Sequence, residues 1–320
     1  MNYQDAHRLA LLNPYRSVAK IFDCREGDIL VGIKNVSSIP NTLMHKLEKT
    51  GFALHTIDKK SQLAGRAVDT ELINPITGHY MSGSSSGTAL NVFAGINDLG
   101  IGNDGGGSVL APAMCVNILG FISRLIEEDR VQNTKKNTDG MIVENSLGFM
   151  ARDRKILLKA IKDSINIEAA DECGTVLSDR EYPGIRSEVI RVEDAFKPRN
   201  ELTEYLKETL KKCDMLILQE GPVDLNGFGD SLFGHFDERT RQIQKDSGKG
   251  YVRVCNTAEA TAMVIPGKEL GCATLLMCES VREKVSRLLK TAEYIEDVHD
   301  ELIERYFLDV ESYFNEGYQV

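Results

Sequence analysis

The sequence predicts an α/β fold, a β-sheet covered by helices, on three observations. Short apolar runs of strand length alternate with longer segments whose apolar residues recur every three or four positions. The chain has 320 residues, 42% hydrophobic and 27% charged, a length and balance that bury a sizeable core. No Pro- or Ser-rich linker and no internal repeat divides it, so one domain over residues 1–320 is expected.

The first strand is expected at 29–33, Ile29-Leu30-Val31-Gly32-Ile33, an unbroken apolar run of the kind buried strands carry. A helical pattern over 41–49 follows, then a second strand at 53–57. Segment 87–96 sets Ala89, Val92, Phe93 and Ile96 at spacings of three and four, the apolar face of a helix. Residues 99–101 read as an apolar turn, and the polar stretch 132–139 as a surface loop. Helices are expected over 154–165, 201–212 and 281–294, with strands at 215–218 and 273–277 between them.

Composition narrows the function. The formal charge is −10, from 48 acidic and 38 basic residues, where a nucleic-acid partner would call for a basic patch. Seven scattered cysteines (Cys24, Cys115, Cys173, Cys213, Cys255, Cys272, Cys278) form no C-x-x-C pair, so neither a metal site nor a disulfide framework is expected. Residues 1–8 are polar and lack the apolar core of a signal peptide. The longest apolar run, 109–119, is interrupted by Pro112 and Asn117 and is too short to cross a bilayer. A cytoplasmic, soluble protein follows, with no nucleic-acid or membrane partner and no cofactor; a homo-oligomer is compatible with the composition.

Two Gly/Ser-rich segments interrupt this ordinary texture: Ser82-Gly83-Ser84-Ser85-Ser86-Gly87 and Gly102-Asn103-Asp104-Gly105-Gly106-Gly107-Ser108. Both are flanked by core-type sequence. Three successive glycines bury no side chain and carry a high conformational entropy, which suits a place where backbone N–H groups converge on an anion. A flexible surface loop is the plain alternative. A phosphate loop is another, yet neither Gly-Lys-Ser/Thr nor G-x-G-x-x-G is present. A serine-nucleophile loop is the third. No G-x-S-x-G elbow occurs, and none of the six histidines (His7, His45, His55, His79, His235, His299) presents itself as a triad partner. A serine activated by lysine needs no histidine. Spacing alone leaves the three readings open.

Together the two segments resemble the amidase signature: a Gly-Ser-Ser-Gly-Gly stretch, a helix, then Gly-Thr-Asp-x-Gly-Gly-Ser and a downstream Pro-Ala. Ser84 and Ser108 stand 24 positions apart, Pro112-Ala113 follows, and Cys115 and Gly120 continue the match. The likeness extends to Ile33-Lys34-Asn35, to Asn74-Pro75, to Ser146-Leu147-Gly148-Phe149-Met150-Ala151-Arg152 and to segment 256–267, where Glu259 and Thr261 depart from the family pattern. The chain is thus similar to a shortened, divergent amidase signature member, and the resemblance implies a mixed sheet with helices on both faces.

By that resemblance Ser108 is the nucleophile, Ser84 the cis-peptide serine that relays the proton, and Lys34 the base. Gly105, Gly106 and Gly107, with the Ser108 N–H, are the implied oxyanion donors, and Ser85 and Asp104 the supporting residues. The chemistry is sound: a hydroxyl attacks only when a base takes its proton, and a lysine serves if burial frees its neutral amine. Taken singly, Lys34 would be an ordinary surface charge, Ser84 and Ser85 helix caps, and Asp104 a loop acceptor. Asn103 stands for a family threonine, Gly105 for a larger residue, and Leu110 for an arginine two positions beyond the nucleophile. The implied activity is serine hydrolysis of a linear, small-molecule amide; a catalytically weak binding or assembly subunit of an amide-transfer complex is the alternative.

Overall fold

The computed structural model describes all residues except 63–65, 131–134, 137–139, 228, 230–235, 299 and 310–320. Tyr3–Leu12 (α1) leads into Val18–Ile21 (β1), Ile29–Lys34 (β2), Asn41–Glu48 (α2) and Phe52–Asp58 (β3). Val68–Ile73 (β4) and Tyr80–Ser82 (β5) precede Ser86–Phe93 (α3), Leu99–Asp104 (β6), Leu110–Cys115 (α4) and Leu119–Ser123 (β7). Next come Lys135–Lys136 (β8), Ile142–Val143 (β9), Ser146–Ala151 (β10), Arg154–Ile165 (α5), Val176–Ser178 (β11) and Glu188–Val189 (β12). The chain continues through Arg199–Leu210 (α6), Met215–Glu220 (β13), Glu238–Asp246 (α7), Ala260–Pro266 (β14), Ala273–Glu279 (β15), Arg282–Ala292 (α8) and Glu301–Phe307 (α9).

Eleven strands form one sheet in the order β1-β3-β2-β6-β10-β7-β14-β15-β13-β11-β12. It is mixed: β2 runs parallel to β3 and β6, while β10, β7, β14 and β15 pair antiparallel. Strand alternation sends successive side chains to opposite faces. In β13, Met215 and Ile217 join one core cluster and Leu216 and Leu218 the other. Helices α2, α5 and α8 cover the first face with Leu43, Leu47, Leu157, Ile161 and Leu288; α3, α4 and α6 cover the second with Leu90, Phe93, Leu110, Leu202 and Leu206. This is the α/β sheet with helices on both faces that the sequence implied. Among the described residues no helix is long and apolar enough to cross a membrane.

Two readings change. Residues 99–101 are not a turn but the start of β6, a fully buried strand. Gly100 is there for packing: a Cβ on it would meet Thr88 Cγ2 at 2.6 Å and Val92 Cγ2 at 3.0 Å, so α3 lies directly on this strand. Within the stretch 132–139, Lys135–Lys136 pairs antiparallel with Ile142–Val143 instead of forming open loop; the rest of that stretch lies outside the described residues.

Candidate active site

Lys34 is the last residue of β2 and is buried, at 2% exposure. Ile33 packs with the α2 and α5 cluster, so alternation turns Lys34 to the opposite face, where α3 and its preceding loop lie. There Lys34 Nζ donates to Ser84 Oγ at 2.7 Å and to the Asn103 carbonyl at 3.4 Å. Burial lowers the lysine pKa to about 7; the Asp104 carboxylate pulls it back up and Lys60 pushes it further down. The ammonium form therefore loses the advantage it has in water, and the neutral amine is populated near pH 7.

Ser84 sits between β5 and α3, at the second residue of the cis peptide bond Gly83–Ser84. Three backbone hydrogen bonds hold this loop. Gly83 N–H donates to Ala67 O at 2.8 Å, Ser61 N–H to Ser84 O at 3.1 Å, and Ser85 N–H to Ser108 O at 3.2 Å. The last of these ties the two serine loops to each other. Ser85 is not a side-chain cap: it makes no capping bond to α3, and its buried Oγ has no partner among the described residues. Its backbone, not its hydroxyl, does the supporting. Ser86 Oγ instead anchors the helix start to the buried Asp69 carboxylate.

The second loop follows β6. Asp104, wholly buried, accepts from Gly107 N–H and Val109 N–H, each at 2.7 Å, and folds the glycines back over the strand end. Burial raises its pKa while those N–H donors and Lys34 oppose the rise. Gly107 has φ +94°, a conformation L side chains rarely adopt. Of the glycine-loop N–H groups, that of Gly107 is engaged by Asp104. Ser108 is half-buried. Among the described residues, no hydrogen bond joins its Oγ to Ser84 Oγ.

A cavity of about 930 Å³ opens on the α2 and α5 side; Asn103 and Asn145 line it, whereas Lys34, Ser84 and Ser108 do not. Asn145 lies against the glycine loop: a Cβ on Gly105 would fall 2.6 Å from its Oδ1. Ser38 fixes Asn103 by accepting from Nδ2 at 3.0 Å. Among the described residues no group of His, Cys, Asp or Glu is arranged to hold a metal ion.

A model of the Amidase family matches residues 70–125, a stretch containing both serines and ending well after Ser108. Solved structures with the same fold extend the match over nearly the whole chain. An amidase superposes with TM-score 0.60 at 13% identity, covering 91% of this chain and 94% of that one. The chain has the fold of amidase-signature structures, and its Gly/Ser-rich segments fall within the stretch that matches the Amidase family. One component of the glutamyl-tRNA(Gln) amidotransferase from Thermotoga maritima gives 0.61 at 14% identity, over 93% of each chain. A 6-aminohexanoate cyclic dimer hydrolase gives 0.62 at 11%, over 94% of this chain and 90% of the other. At such identities the likeness is one of fold. No curated protein sequence matches the chain.

Several supports escaped the sequence. Glu220, at the end of β13, accepts from the N–H groups of Gly250, Tyr251 and Val252, and Val252 O would lie 3.2 Å from a Cβ on Gly107. The carboxylate thus shapes the wall behind the glycine loop, and burial raises its pKa to about 7. Lys249 and Asp224 form a buried ion pair at 2.8 Å. Lys249 Nζ also donates to Ala67 O at 2.9 Å, the same carbonyl that receives Gly83 N–H. These residues are far from the signature in the chain and belong to no local motif, so only folding could place them.

Proposed function

We propose that the chain is a serine amidase acting on small linear amides, with Ser108 as nucleophile, Ser84 as relay and Lys34 as base. Neutral Lys34 accepts the Ser84 hydroxyl proton as Ser84 accepts that of Ser108, and Ser108 Oγ bonds to the amide carbonyl carbon. The carbonyl π electrons move onto oxygen, where the N–H groups of Gly105, Gly106 and Ser108 stabilise the oxyanion. Lys34 then returns its proton through Ser84 to the amide nitrogen, the C–N bond breaks, and the amine leaves an acyl-enzyme. Water enters by the same relay and releases the acid.

One observation carries this reading: a buried lysine whose pKa falls to about 7 lies 2.7 Å from Ser84 Oγ. The missing Ser84–Ser108 bond favours a second reading, an amide-binding protein that does not cleave, although catalytic bonds often tighten only with substrate. Fluorophosphonate labelling separates the two. An amidase is labelled at Ser108 and releases ammonia from simple amides; a binding protein does neither.

A further inference from the structure

Asn103 serves two places at once. Its carbonyl accepts from Lys34 Nζ at 3.4 Å. Its carboxamide looks away from that centre: Leu99 and Ile101, on the same alternation in β6, pack into the α2 and α5 cluster, so Asn103 faces that side too. Leu147, opposite Asn103 on β10, belongs to the same cluster, and Asn145 lies two positions before it. These three side chains form one wall of the cavity of about 930 Å³.

The wall holds unspent hydrogen-bonding capacity. Asn103 is 9% exposed, and its Oδ1 is a buried acceptor without a partner among the described residues. Its Nδ2 is tied to Ser38 Oγ, which fixes the plane of the group. Turned over, the amide would accept from the Ser38 hydroxyl and leave its NH2 unpaired, so half of it stays free in either orientation. Arg130 Nη2 donates to the main-chain carbonyl of Asn145, but no hydrogen bond among the described residues engages the Asn145 carboxamide. A buried amide atom left unpaired is costly, and a ligand that pairs it recovers that cost.

Charge is not what the cavity offers. Lys46 is paired with Glu127 at 2.7 Å, Arg282 with Glu128 at 2.5 Å, and Arg130 also donates to Ile126 O. No aromatic ring is among the described lining residues to stack on a flat ligand. The free groups are carboxamides, and their complement is another carboxamide, which carries N–H donors and a C=O acceptor in one plane.

We propose that this cavity is a ligand-binding site, separate from the Ser84–Ser108 centre, for a small neutral molecule bearing carboxamides. Its volume is ample for such a compound. The threonine that the resemblance sets at position 103 has no carboxamide, so the site belongs to this chain's own sequence. Nothing in it depends on Ser108 as a nucleophile.

The probe is glutaramide, whose two primary carboxamides match Asn103 and Asn145. Its controls are N,N,N′,N′-tetramethylglutaramide, which has no N–H, and glutarate, which is charged. Binding is read by saturation-transfer NMR in Ser108→Ala, which cannot consume a diamide by the proposed reaction. Glutaramide is expected to bind with a Kd of about a millimolar, and each control about tenfold more weakly. Two further substitutions locate the site. Asn103→Leu removes the free amide, and Ser37→Trp fills the cavity from an exposed lining position, where the melting temperature should hold. Each should weaken glutaramide binding by about tenfold or more. Undetectable glutaramide binding, equal binding of either control, or binding that survives either substitution overturns the proposal. Fluorophosphonate labelling of wild type is read separately and bears on the serine-amidase reading alone, so the two can fail independently.

Discussion

Lys34 Nζ and Ser84 Oγ lie 2.7 Å apart although fifty residues of chain separate them, and neither reaches solvent to any extent. A buried amine next to a buried hydroxyl is poorly solvated as an ammonium, so the neutral amine is populated near neutral pH at a cost in stability.

Point mutants of the three residues should rank by what each removes. Ser108→Ala deletes the attacking atom and should abolish labelling. Lys34→Ala should be nearly as severe, and Ser84→Ala should leave a residual rate because a water can bridge in its place. The losses should not add, since residues acting as one unit fail together. Full labelling of Ser108→Ala, or unimpaired turnover by Lys34→Ala, would falsify these assignments.

The pH–rate profile should rise through about 7, since only the neutral amine of Lys34 accepts a proton. Its neighbours should move that limb in opposite directions. Asp104 raises the lysine pKa, so Asp104→Asn should shift the limb to lower pH; Lys60 lowers it, so Lys60→Met should shift it upward. Lys60 is exposed, and its effect should fade in high salt. A limb that moves the same way in both variants would show that the titrating group is not Lys34.

Stability should vary with pH through the same residue. The folded-state pKa lies at about 7, below the ordinary lysine value of 10.5. Between those limits the unfolded chain holds the proton and the native chain does not, so this contribution rises with pH and is least below 7. Lys34→Met should therefore stabilise the protein near pH 7, by ~3 kcal/mol or more, with the gain vanishing toward pH 10.5. Urea unfolding across that range reads it, and a destabilised Lys34→Met at pH 7 would count against the depressed pKa.

Removing one member of the Lys249–Asp224 pair should be costly. Asp224→Ala leaves a buried ammonium beside Ala67 O, a change of about 3–5 kcal/mol by comparison with other broken buried pairs. Since Ala67 O also receives Gly83 N–H, fluorophosphonate labelling should slow along with the stability. Denaturation and labelling together check this; a loss of stability with unchanged labelling would separate the pair from the Ser84 loop.

The sequence by itself determined the alternation that builds the sheet, because strand and helix periods are local properties of residue order. It also singled out the two Gly/Ser-rich segments, since Gly-Gly-Gly-Ser and Ser-Gly-Ser-Ser are unusual in core sequence, while leaving their role open. It misread Leu99-Gly100-Ile101, since a glycine looks the same whether it turns the chain or makes room for α3. Tertiary structure alone decided which N–H groups of the glycine loop are engaged, because Asp104 engages Gly107 only once β6 and the loop are folded. It alone decided how far the Lys34 pKa falls, since desolvation depends on every element packed around the amine. And it alone brought Glu220 and Lys249 to the signature loops: their positions come from the packing of β13 and the 247–253 segment, long-range contacts that no local pattern encodes.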